Sequence, residues 1–270
     1  LGVVAFEQGM KELSISLRKY LEIALAFRLL LLALVFLLGF SYFFGARIYL
    51  ADIKYMQALR QTANPASVSS QIGLMSKAIE LNPWQGEYRL YLSRLFFGSA
   101  REALLLPVEQ QDKAAISLDV QKAIAYARGD VVEGKRIQGA TEVAPERVTA
   151  WEQLGSLYQE INFAPGAAEW GAQAYEKAIE LEPANPVLYN ELARAYSAKE
   201  DLEKAREYVE KAIALKPDFL AAQSQSALLY EKQGDMSAAR KLLEGLIIKY
   251  PTDAELLFQL GRLYYNMKEG

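Results

Sequence analysis

Neither cysteine nor histidine occurs among the 270 residues. Without thiols there is no disulfide, no thiolate nucleophile and no sulfur ligand for a metal. Without imidazole the usual general base, the commonest transition-metal ligand and the near-neutral pH switch are gone as well. A thiol-free chain is indifferent to the redox state of its compartment, so this absence places it nowhere. A surplus of positive charge is also missing. The 30 Lys and Arg stand against 33 Asp and Glu, a net charge of −3, and that balance does not suit a chain built to neutralise a nucleic-acid backbone. No G-x-x-x-x-G-K-[S/T] phosphate loop and no H-E-x-x-H zinc pattern is present. The acidic pairs Glu7/Glu12 and Glu200/Asp201, and the Glu-Lys pairs at 176/177, 203/204 and 210/211, read as solvated turns and helix faces. No catalytic residue, cofactor site, metal site or nucleic-acid partner is therefore expected within this chain.

Apolar residues, by contrast, make up 52% of the sequence, ample for a core. Residues 29–46, LLLLALVFLLGFSYFFGA, form an uncharged run of 18 bounded by Arg28 and Arg47. As a helix this run is about 27 Å long, close to the hydrocarbon thickness of a bilayer. The pattern predicts a transmembrane helix over 28–50. A signal anchor, a cleaved signal peptide and a soluble core helix stay open as alternatives, although a core helix seldom needs every face apolar. Gly39 and Gly45 are tolerated in lipid and suit close helix packing. Four basic residues precede the run (Lys11, Arg18, Lys19, Arg28) and three follow it (Arg47, Lys54, Arg60), which leans the N-terminal side toward the cytoplasm and the remainder outside it. Residues 1–27, with Leu13, Leu17, Leu21 and Leu25 at helical spacing, read as an amphipathic or interfacial segment. The chain opens on Leu1 without an initiator Met and stops inside a half-complete unit, so it is expected to belong to a longer protein, with an upstream membrane domain as one candidate partner.

Beyond residue 60 the sequence repeats itself. In residues 186–219 the marks are Tyr189, Leu192, Ala193, Tyr196, Ala205, Ala212 and Pro217. A step of 34 residues brings Gln223, Ser226, Ala227, Tyr230, Ala239, Leu246 and Pro251, and a further step brings Leu257, Leu260, Gly261 and Tyr264. The preceding unit opens with Trp151, Leu154, Gly155 and Tyr158 and closes with Tyr175, Ala178 and Pro183. It carries four extra residues around INFAPGAA, where Pro165 and Gly166 predict a loop. The small residues Gly155, Ala193 and Gly261 mark expected close approaches between antiparallel helices, and turns are expected near Asn185, Lys199, Phe219, Gln233 and Asp253.

This pattern resembles the tetratricopeptide repeat over residues 148–270, with the last unit incomplete. The resemblance implies an all-α fold: one N-terminal transmembrane helix followed by an α-solenoid of helix pairs. Residues 51–147 read as an irregular version of it. There SKAIELNPWQGEYRLYLSRLF at 76–96 aligns with residues 176–196, and Trp84 and Tyr88 are expected to supply extra aromatic packing. A long helix over 111–128, with Ala114, Leu118, Val120 and Ile124 on one side, and a shorter helix over 131–143 complete the region; an unrelated helical spacer is the alternative.

In such arrays the first helix of each pair lines the inner surface. The resemblance places Glu152, Ser156, Gln159, Asn190, Arg194, Ser224, Leu228, Glu231, Phe258, Arg262 and Tyr265 there, a mixture suited to an extended peptide or a partner helix. The lysine-containing carboxylate clamp of some family members is not matched, since its position holds Glu152, Asn190, Ser224 and Phe258. The order of a hydrophobic span, the segment Arg-x-Tyr-x-Ala-Asp at 47–52 and then a repeat array also resembles the C-terminal part of bacterial O-antigen ligase and polysaccharide polymerase-like membrane proteins. This second resemblance covers 1–97 and implies an extracytoplasmic array on a glycan-transferring parent whose reacting residues lie upstream of this chain. The alternative is a bitopic scaffold for secretion, pilus or envelope-complex assembly.

Overall fold

A computed structural model describes residues 21–61, 68–161 and 166–269. Most of the predicted amphipathic segment at 1–27, and the loop residues 162–165, lie outside the described residues. Helix α1 (Leu21–Arg60) is unbroken for 40 residues. It is followed by α2 (Val68–Leu81), α3 (Gly86–Leu104), a single 3-10 turn (Val108–Gln110) and α4 (Lys113–Arg128). A two-stranded antiparallel hairpin, β1 (Asp130–Val132) and β2 (Lys135–Ile137), then leads to the short α5 (Ala140–Val143). The regular part comprises α6 (Val148–Glu160), α7 (Ala167–Leu181), α8 (Pro186–Ala198), α9 (Leu202–Leu215), α10 (Leu220–Lys232), α11 (Met236–Lys249) and α12 (Ala254–Glu269).

The five expected turns fall where the helices break, and side-chain caps fix four of them, the turn at Phe219 having none. Asp201 accepts from the Lys204 amide, Asp235 from Ala238, Asp253 from Leu256 and Asn185 from Val187, each satisfying an orphan donor of a new helix. The α8–α9 and α10–α11 turns place Glu200 (φ 62°) and Gly234 (φ 84°) in the left-handed region, 34 residues apart. Packing follows the repeat. Tyr175, Ala178, Leu188, Leu192, Ala193, Tyr196 and Val209 form one buried cluster, and Ala227, Leu243, Leu256 and Leu263 another. Burying each of the larger side chains contributes roughly 1.5–3 kcal/mol. Tyr196 fills the inter-helix space as expected; its ring lies 5.4 Å from that of Tyr208, and its hydroxyl donates to Glu176 Oε1 at 2.7 Å.

At five places the structure adds to or departs from expectation. The helix that carries the expected span runs on past residue 50 to Arg60, and its end pairs with α2 through Ala51, Tyr55, Ala58, Met75 and Ala78, so it serves as the first helix of an opening pair. Residues 131–143 are not one helix. Glu133 (φ 49°) and Gly134 (φ 74°) make the tight reversal that suits a hairpin, and only Ala140–Val143 is helical. Of the residues expected on the inner side of α4, Val120 and Ile124 pack against the core beside the buried Ile116, Ala123, Ala125 and Ala127, whereas Ala114 is exposed in the first turn. Gly261 faces open space, whereas Gly155 is pressed against the Tyr175 ring. Tyr88 is buried as expected, but Trp84 is 76% exposed. The 62 residues from Gly86 to Arg147 are therefore one lengthened pair, α3 with α4, plus the hairpin and α5. Phe96 and Tyr126 stack across that pair at 5.8 Å.

Candidate functional site

The first helices of successive pairs carry two neighbouring cavities. The first, about 630 Å³, opens between α3, α6 and α8 and is lined by Arg94, Phe97, Glu152, Ser156, Glu160 and Glu191, with Tyr175 at its back. The second, about 570 Å³, lies between α6, α8, α10 and α12 and is lined by Gln159, Arg194, Leu228, Glu231, Lys232 and Arg262. A bridge separates them. Gln159 Nε2 donates to the backbone carbonyl of Glu191 at 2.9 Å, and the Tyr175 hydroxyl donates to Gln159 Oε1 at 3.4 Å.

Their charges are opposite. Three carboxylates against one guanidinium line the first cavity; three cations against one carboxylate line the second. Burial, reinforced by Glu182 and Glu191, raises the Glu152 carboxyl above the usual carboxylate range. Tyr175 is likewise raised, first by burial and then by Glu191. In the second cavity Arg194 pairs with Glu191 at 3.0 Å and Arg262 with Glu231 at 2.7 Å, while Asn266 also donates to Glu231. The Lys232 ammonium donates to Ser197 Oγ at 2.8 Å.

Of the candidate groove residues, the cavities bring together Glu152 and Ser156 in the first and Gln159, Arg194, Leu228, Glu231 and Arg262 in the second. Asn190 is buried and lines neither. Ser224 is half-buried and donates to Gln259. Phe258 and Tyr265 stand exposed on α12, outside both cavities. Sequence reasoning missed Arg94, Glu160, Glu191 and Lys232. Arg94 stands in α3 as Arg194 stands in α8, and this alignment is the signal that reveals it; Glu191 and Lys232 are each one residue beyond a position named in advance. Among the described residues no group of acidic side chains is arranged to hold a metal ion.

Sequence comparison finds repeat matches within the array. Tetratricopeptide-repeat family models match residues 174–207 and 220–263. No curated protein matches the sequence. Among solved structures, a tetratricopeptide-repeat protein from Parabacteroides merdae is similar with a TM-score of 0.62 at 15% identity, covering 81% of this chain and 73% of its own. MamA (41-end) from Desulfovibrio magneticus is similar with a TM-score of 0.55 at 14% identity, covering 76% and 97%. A thermophilic repeat protein of Thermus thermophilus has a TM-score of 0.53 at 16% identity, covering 80% and 99%. The described residues thus form a solenoid of helix pairs of the tetratricopeptide type, and nothing in these similarities points to an O-antigen ligase.

Proposed function

We propose that the chain is a membrane-tethered protein-interaction module and not itself a catalyst, with α1 as the tether and the paired cavities as the recognition groove. The observation that carries this reading is the adjacency of two oppositely charged cavities along the first helices of a repeat array. A rigid concave surface of this kind recognises an extended or helical segment of another protein. The fitting segment bears a cationic stretch against Glu152, Glu160 and Glu191 and an anionic stretch against Arg194, Lys232 and Arg262. Arg194 is exposed on its helix and held only by Glu191, so it can exchange that partner for a ligand without disturbing the core.

For the tether, the support is that α1 is long and apolar enough to cross a bilayer, with a mean hydropathy of 2.4 over its most apolar window and none of that window buried. The array then stands on the side that Arg47 faces, read as extracytoplasmic. The junction at 47–52 favours a parent of the O-antigen ligase or polysaccharide polymerase type, and determining the sequence ahead of Leu1 separates it from a bitopic scaffold. The test of the groove uses the full chain in detergent, titrated with synthetic peptides whose charges are segregated into two blocks, interleaved or absent. Segregated peptides are expected to bind best, and Arg194→Ala to weaken them by about tenfold without lowering the unfolding midpoint. Equal binding of all three peptides, or unfolding of the Arg194 variant, rejects the assignment.

A further inference from the structure

The exposed indole of Trp84 stands at a defined place: the boundary of the apolar helix. Helix α2 runs antiparallel to α1, and the two are fastened at this level by Arg47. Its Nε donates to the carbonyl of Leu81 at 3.2 Å and its Nη2 to that of Glu80 at 2.8 Å, so the guanidinium caps the C-terminus of α2. Arg47 is also the residue that ends the uncharged run at 29–46. Past Leu81 the chain continues in the direction of that run, turns through Asn82, Pro83 and Trp84, and heads back as α3 from Gly86. Trp84 is therefore at the apex of a turn level with, or just beyond, the end of the apolar stretch. The turn itself is held firmly: the Tyr88 hydroxyl donates to Asp52 of α1, and a Cβ on Gly86 would come within 3.2 Å of Ala144.

A large aromatic that is 76% exposed on a well-held turn loses apolar burial for no packing gain. The amphipathic indole favours one environment above others, the boundary between headgroups and acyl chains. We infer that the α2–α3 turn is a second membrane contact, with the Trp84 indole seated in the interfacial zone of the bilayer that α1 crosses. One helix leaves the array free to spin and lean about its axis; a second contact beside it sets the rotation and tilt, and so the direction in which the two cavities open. The inference rests on the reading of α1 as a span. It does not follow from apolar exposure alone, because the equally apolar turn at Leu104, Leu105 and Leu106 lies at the other end of α3, about 28 Å away along a helix of 19 residues.

The full chain in phosphatidylcholine vesicles provides the test, with lipids brominated near the glycerol end of the acyl chain as the quencher. Wild type is expected to show a quenchable component of indole emission that Trp84→Phe lacks, since Trp151 and Trp170 sit on α6 and α7. Because the sequence contains no cysteine, Gln85→Cys and Leu105→Cys each accept a single nitroxide label. The label at 85 is expected to collide with oxygen in preference to a water-soluble nickel chelate, and the label at 105 to do the reverse. Equal quenching of wild type and Trp84→Phe, or a label at 85 as open to nickel as the one at 105, overturns the inference even where the chain floats with the vesicles. Emission of Trp84 that is blue-shifted but unquenched also overturns it, by placing the indole against protein. Failure to float with the vesicles removes the span and this contact together.

Discussion

Gly155 and Gly261 occupy the same position of the repeat, yet alanine at the two should act with opposite sign. At Gly155 an added Cβ would lie 2.6, 2.7 and 2.9 Å from Cε2, Cζ and Cδ2 of Tyr175. Carbon atoms rest comfortably about 3.5–4.0 Å apart, so the ring would have to retreat by about 1 Å. Tyr175 is 1% exposed and held by its cluster, so the ring can retreat only toward the first cavity, at the cost of its packing and its bond to Gln159. Overpacking of this kind costs about 1–3 kcal/mol, against which the better helix propensity of alanine returns about 0.8–1.0 kcal/mol. The net for Gly155→Ala is a loss of roughly 0–2 kcal/mol. At Gly261 nothing lies within 4 Å of the new methyl, so the propensity gain is kept whole. The propensity term cancels between the two variants, and their difference, about 1–3 kcal/mol, isolates the contact with Tyr175. A repeat array need not unfold as one unit, so each effect is read where it arises. Indole emission reports on Gly155, since Trp151 packs against that cluster, and amide exchange of α11 and α12 reports on Gly261. If Gly155→Ala stabilises its repeat as much as Gly261→Ala stabilises the last helix, the close approach of α6 to α7 is not there.

Tyr196→Ala should cost about 3–5 kcal/mol, whereas Tyr196→Phe, which keeps the ring and loses only the bond to Glu176, should cost about 0.5–1.5 kcal/mol in urea unfolding. Burial first, and then Glu176, hold the Tyr196 proton on in the fold past the ordinary value of 10.0. The unfolded chain therefore loses that proton first, stability falls as pH rises above about 10, and the Phe variant should show a smaller alkaline loss. Glu152→Gln should raise the unfolding midpoint at pH 7, because burial penalises the charged carboxylate there. The gain should vanish below the ordinary value of 4.5, where folded and unfolded carboxyls are both protonated, and an equal gain at both pH values would contradict the burial of this group.

Periodicity made the region from Val148 onward legible because its determinants are local: a capping Asp or Asn, a terminating Pro and small or aromatic residues every 34 positions. The opening pair was harder. Its first helix has no tryptophan, its Leu38-Gly39 pair lies inside the apolar run, and the hydropathy of residues 29–46 masks the segment further on where Ala51, Tyr55 and Ala58 pack against α2. The hairpin was misread because Val131 and Val132 count as apolar in either secondary structure; the informative residues are Glu133 and Gly134, whose positive φ values suit a two-residue reversal. In the groove, the positions expected to face inward were named one helix at a time. Which of them share a cavity depends on the rotation of each pair against the next, so Asn190 turns into the core while its neighbour Glu191 lines the opening.

Helix α1 passes from its apolar stretch into the first pair without a proline. A Gly/Ser linker of its 40 residues would coil to an average span of about 35 Å and act as a slack leash. The helix is instead a shaft of about 60 Å that carries torque as well as tension. If α1 is the tether proposed above, a partner that dragged on the groove would bend and twist this shaft rather than draw out spare chain, and the load would appear at once at Arg47, where the shaft and α2 are fastened together.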